Sequence, residues 1–137
     1  MQNVFVYLVF LITGIFAQAQ NTIEVSINEF KNNDGKVMVG LYNEEAKWLA
    51  ATYVSLSSEI TNKKAKVTFT EIPDGVYAIS CYHDKDSNGK LNMMMGMVPA
   101  EPYGCSNGAK GFFGPPKWED ARFEVKNGAL KKMDINL

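Results

Sequence analysis

The sequence predicts an all-β fold, an antiparallel β-sandwich of about seven strands. Three observations predict it. Apolar side chains recur with period two in several short segments, turn signals separate those segments, and helical periodicity is nearly absent. The chain has 137 residues and an apolar content of 46%, enough for one core.

The segments follow in order. Residues 22–30 put Ile23, Val25 and Ile27 on one face and Glu24, Ser26 and Asn28 on the other. Lys31 to Gly35 is a turn, and residues 36–43 bring Val37, Val39 and Leu41 inward, so the two segments read as a hairpin. Residues 44–60 are the least periodic. A helical turn is expected over 44–49, with Trp48 and Leu49 closing one end of the core, and a further strand is expected within 50–60. Residues 64–72 alternate around Val67 and Phe69, and Pro73-Asp74-Gly75 turns the chain. Residues 76–83 put Tyr77, Ile79 and Cys81 on one face. After a long turn-rich stretch, residues 121–125 make a strand with Phe123 and Val125 inward. Asn127-Gly128 is a strong hairpin signal, and residues 130–137 close the sheet through Met133, Ile135 and Leu137. Glu24, Glu29, Lys131 and Lys132 read as charges guarding edge strands, so a monomer is expected.

Val4 to Phe16 is an uncharged apolar run followed by Ala17-Gln18-Ala19. This is the pattern of a secretory signal cleaved after Ala19, and the run is too short for a bilayer span of about 20 residues. Residues 20–137 are then a single exported domain, periplasmic or extracellular, in surroundings where disulfides persist. An uncleaved anchor is the alternative.

Composition excludes several classes. Lys and Arg number 14 against 15 Asp and Glu, a net charge of -1, so no basic surplus favours nucleic acid. One histidine and two cysteines are too few for a multi-histidine centre or a four-cysteine cluster. The sequence has no Gly-rich phosphate loop and no nucleophile elbow. His83 is the sole ready general base, and strand alternation turns it away from Asp84. No catalytic residue is assigned, and a non-catalytic protein is expected, with a hydrolase as the remote alternative.

The richest chemistry lies in Asp84-Lys85-Asp86-Ser87-Asn88-Gly89-Lys90-Leu91-Asn92. Asp84, Asp86, Asn88 and Asn92 occupy the first, third, fifth and ninth positions of a calcium loop, Gly89 the sixth, and Lys90 offers a carbonyl. The twelfth position is Met95 where such a loop has glutamate, and Glu101 is the next acid able to fold back. Calcium is the cofactor these residues suggest. The competing reading is a metal-free turn in which Asp and Asn side chains accept from backbone amides.

Two other groupings stand out. Met93, Met94, Met95 and Met97 make a soft-sulfur patch near Cys81 and His83, suited to Cu(I) or simply to packing. Tyr103, Phe112, Phe113 and Trp118 surround a Gly- and Pro-rich segment, suited to stacking on a ligand or partner or to covering the core. Cys81 and Cys105 would close a long loop if joined, or would be two separate thiols.

These pieces together resemble a known family. Tyr77 to Asp84, Asp86-x-Asn88-Gly89-Lys90-Leu91-Asn92, Pro99-x-Glu101-Pro102-Tyr103-Gly104-Cys105-Ser106-Asn107, and Phe113-Gly114-Pro115-Pro116-Lys117-Trp118-Glu119-Asp120-Ala121-x-Phe123 are similar to the DUF2141 family of small exported bacterial proteins. The resemblance implies a transthyretin-like or immunoglobulin-like sandwich and transfers no catalytic residue. The family pattern has Asp at the position of Asn92 and Phe at that of Cys105, which implies one carboxylate fewer here and no family-wide disulfide. The function expected is ligand or partner binding through the 84–118 loop face, with a weak calcium site. A purely structural envelope module is the alternative.

Overall fold

The computed structural model describes residues 20–88 and 101–137 in full, and residues 93–94 and 98–99 as backbone. Ten strands occur among them: β1 (Asn21–Asn28), β2 (Lys36–Tyr42), β3 (Val54–Glu59), β4 (Ala65–Ile72), β5 (Gly75–Asp84), β6 (Met93–Met94), β7 (Val98–Pro99), β8 (Tyr103–Cys105), β9 (Phe123–Val125) and β10 (Leu130–Asn136). The one α-helical turn among the described residues is α1 (Trp118–Ala121). A 3-10 turn at Glu45–Lys47 stands where the helical turn was expected.

The strands form two layers. The first sheet runs β10-β1-β4, and the second runs β3-β2-β5-β8, with β9 also paired to β5. β1 and β10 are parallel and the other pairs are antiparallel, so the sandwich is mixed where an antiparallel one was expected. The core between the layers takes the residues that period two assigns to it: Ile23, Val25 and Ile27 of β1, Val37, Val39 and Leu41 of β2, Val67 and Phe69 of β4, and Tyr77, Ile79 and Cys81 of β5. Fully burying each such aliphatic side chain contributes about 1.5–3 kcal/mol. Among the described residues the buried apolar side chains lie between Ile23 and Ile135.

The two expected hairpins do not form. β1 and β2 lie in different sheets, because the chain turns through Glu29 (φ 65°) and Gly35 (φ 64°) and crosses from one layer to the other. β9 and β10 separate in the same way after Asn127-Gly128. Alternation fixes which face a strand buries, and the partner is chosen by the packing of the two layers. A second consequence concerns edges: β1 is central, and its Glu24 lies between Thr68 of β4 and Lys132 of β10. Lys66 bonds Glu24 at 2.7 Å and is the main cause that holds this carboxyl below its ordinary value of 4.5.

Two local expectations are also corrected. Ala121 ends α1 and does not begin a strand. Leu49 is exposed with φ 60°, and the half-buried Trp48 packs on the outside of the second sheet, so neither closes the main core.

Candidate cation site

β5 has one edge covered by two partners. β9 pairs with Gly75 to Tyr77, and β8 pairs with Ser80 to Tyr82. The amide of Ile79 falls in the gap between them and donates to the hydroxyl of Ser106 at 2.9 Å, and that buried hydroxyl donates to the carbonyl of Ala121 at 2.5 Å. Asn107 extends the joint, with Nδ2 donating to the carbonyl of Arg122 at 2.8 Å. A buried amide left without a partner would be costly, so this hydroxyl fastens the return of the long loop to the sheet.

The same edge builds the acid site. Past β8 the ladder continues, with the amide of His83 donating to the carbonyl of Pro102 at 2.9 Å. One step further a carboxylate takes over from the backbone, and the amide of Lys85 donates to Glu101 Oε2 at 2.7 Å. The register thereby delivers Glu101 beside the end of β5. Asp84, Asp86 and Glu101 each present a carboxylate oxygen, and these oxygens lie within 4.8 Å of one another. Asp84 is fully buried, Glu101 is nearly so, and Asp86 is exposed, which leaves the group open on one side.

Asn88 shapes the loop. Its amide donates to Asp84 Oδ1 at 3.1 Å, and its side-chain nitrogen donates to Asp86 Oδ2 at 3.2 Å. The stretch is a hydrogen-bonded turn, and its carboxylates converge. Lys90 and Asn92, the other two expected ligands, lie outside the described residues. The carboxylates also act on their surroundings. Burial raises the phenol of Tyr82 above its ordinary value, and the nearby Asp84 and Glu101 raise it further.

Two features brace the site from below. A Cβ on Gly35, at φ 64°, would collide with the carbonyl oxygen of Asp84, so the turn before β2 needs glycine to pass under the loop. Next to it, His83 is fully buried, bonded through Nε2 to the carbonyl of Asp34 at 2.6 Å, with Phe30 edge-on at 5.2 Å. Nε2 carries the hydrogen in that bond, since a carbonyl only accepts, and Nδ1 has no hydrogen-bond partner among the described residues.

The aromatic residues fall into different places. Tyr103 is half-buried opposite Tyr82. Trp118, at 9% exposure, packs with Tyr42, Ala78, Cys105 and Ala121 in a second apolar cluster on the outer face of the second sheet. Trp48 joins it edge-on to both Tyr42 and Trp118, and its Nε1 donates to the carbonyl of Pro116 at 2.7 Å. Phe112 and Phe113 stand apart, at 84% and 112% exposure. Asp84 and Ala78 are six positions apart on β5, about 20 Å at the rise of a strand, so the acid site and the aromatic cluster occupy opposite ends of one sheet face.

The disulfide does not form: both thiols are free and buried. Cys81 lies opposite Gly104 and Cys105 opposite Ser80, which sends the two side chains to opposite faces of the sheet. Burial pushes the Cys81 thiol up to about 12 and the Cys105 thiol up to about 11. Met93 and Met94 belong to a two-residue ladder with Val98 and Pro99, while Met95 and Met97 lie outside the described residues.

Sequence reasoning named Asp84 and Asp86 from their spacing and carried Glu101 as an acid that had to fold back. It placed Gly35 in a turn but missed its passage under the loop, and it missed the fastening role of Ser106. A signal for Glu101 was present: counting back antiparallel from the β8 segment sets it opposite Asp84. That segment is only three residues long and shows no periodicity, so its sequence carries no strand signal.

The fold and the site define a class: a two-sheet β-sandwich with a carboxylate cluster where one strand leaves its sheet. The chain belongs to the DUF2141 family, described as an uncharacterized protein conserved in bacteria, which matches residues 25–133. No curated protein and no solved structure matches it. Among the described residues, no helix is long and apolar enough to cross a membrane.

Proposed function

We propose that this chain is a non-catalytic, monomeric binding protein, exported from the bacterial cytoplasm, whose Asp84–Glu101 loop holds a calcium ion and thereby orders a face for a ligand or partner. The observation that carries the reading is the convergence of Asp84, Asp86 and Glu101 within 4.8 Å, two of them buried. Carboxylate oxygens suit a hard cation, and a loop site with irregular geometry suits Ca2+ better than the octahedral Mg2+. Like charges gathered in partial burial repel, and a divalent ion offsets that repulsion. The signal-like segment over 1–19 lies outside the described residues, and export rests on its sequence and on the family. Two packed sheets, with the first and last strands together in one, support a transthyretin-like or immunoglobulin-like relationship. Burial of His83, with its Nε2 engaged by Asp34, supports the absence of catalysis.

A second reading is favoured by Asn88, whose backbone amide and side-chain nitrogen both donate to the carboxylates. On this reading the loop is a metal-free turn in a structural module.

Calcium titration of residues 20–137 by calorimetry, with a matched thermal melt, separates the two. Saturable heat and a raised Tm, both lost in Asp84→Asn/Asp86→Asn, are expected for the cation site. No heat and no shift at millimolar calcium would leave the hydrogen-bonded turn.

A further inference from the structure

Single exposed apolar side chains are ordinary. Phe112 and Phe113 are different, because they are adjacent, they are 84% and 112% exposed, and the backbone is built to hold them so. Gly111 and Gly114 meet at the neck of their loop, where a Cβ on Gly111 would collide with the carbonyl oxygen of Gly114. The two phenylalanines are therefore the central pair of a tight reverse turn. Phe113 has φ 63°, the left-handed region that turns ordinarily give to Gly or Asn. A bulky residue is strained there, and a fully exposed ring returns no packing to offset it. Behind the tip, Pro115 and Pro116 stiffen the arm, and the Trp48 bond to the Pro116 carbonyl fastens it to the aromatic cluster.

Charge narrows the choice of partner. Between Ser106 and Lys117 the chain has no acidic residue; exposed Lys110 precedes Phe112 by two residues and exposed Lys117 follows Phe113 by four, with the acidic Glu119 and Asp120 beyond it. A convex apolar tip flanked by two cations complements a surface that is negative outside, apolar a few ångströms down, and deformable enough to need no matching pocket. An anionic lipid interface has those properties.

We infer that the Phe112–Phe113 tip is an interfacial anchor. The two rings enter the acyl boundary of an anionic lipid layer, while Lys110 and Lys117 rest on its headgroups. This goes beyond the cation reading and does not depend on it.

The test is flotation of residues 20–137 with vesicles of phosphatidylcholine alone or mixed with phosphatidylglycerol. EDTA is present throughout, so the result is independent of calcium. Binding to the anionic vesicles is expected. Phe112→Ser/Phe113→Ser should lower it by about tenfold or more without changing Tm, since the exposed rings carry no packing. Lys110→Gln/Lys117→Gln should lower binding to the anionic vesicles and leave the residual binding to the neutral ones unchanged. Three results would overturn the inference: no binding to any vesicle, equal binding by the double serine variant, or a lipid-free dimer that the double serine variant dissolves, which would assign the tip to a second copy of the chain.

Discussion

The two ends of the second sheet's outer face hold their loops by different physics. At the Tyr42–Ala78 end, Trp48, Trp118 and Ala121 bury apolar surface. At the Asp84 end, carboxylates hold the loop by accepting from the amides of Lys85 and Asn88. One face thus carries an apolar attachment at one end and a hydrogen-bonded, carboxylate attachment at the other.

The largest expected effect breaks the apolar end. Trp118→Ala should lower unfolding stability by about 3–5 kcal/mol, read by urea denaturation, because a nearly buried ring leaves a cavity beside Trp48. Ser106→Ala should come next, at about 1–3 kcal/mol, since it strips the partner from the buried Ile79 amide. Gly35→Ala should cost more than about 1 kcal/mol and weaken any calcium response, while leaving the tryptophan emission of the apolar end as it was.

The smaller effects sharpen the comparison. Glu24, held below its ordinary 4.5 by Lys66, contributes stability that is present above that value and is lost as pH falls through the lowered one. Glu24→Gln should therefore flatten the acid limb of the stability–pH curve slightly. The smallest expected effect is none: with Cys81 at about 12 and Cys105 at about 11 and both buried, reductant should leave Tm unchanged. A thiol reagent should then label the two cysteines only after unfolding.

Much of this was legible in the sequence. The inward faces of β1, β2, β4 and β5 follow from period two, and the strand expected within the weakly periodic 50–60 stretch is β3. Pairing was not legible, because Glu29 to Gly35 and Asn127-Gly128 reverse the chain without saying whether its two arms stay in one sheet. The site was half legible. Asp84 and Asp86 announce themselves by spacing, whereas Glu101 arrives through the short β8, and Cys105 could not be turned away from Cys81 until that register was known.

The central claim, a cation held by Asp84, Asp86 and Glu101, is most directly tested with terbium, a hard cation that takes oxygen ligands and emits when excited through a nearby tyrosine. The phenol of Tyr82 lies in the field of Asp84 and Glu101 and is the expected sensitiser. Emission should rise saturably on adding terbium, fall when calcium competes, and vanish in Asp84→Asn/Glu101→Gln, while Tyr82→Phe should dim it without changing the affinity. Emission that survives the loss of both carboxylates, or that calcium cannot displace, would contradict the claim.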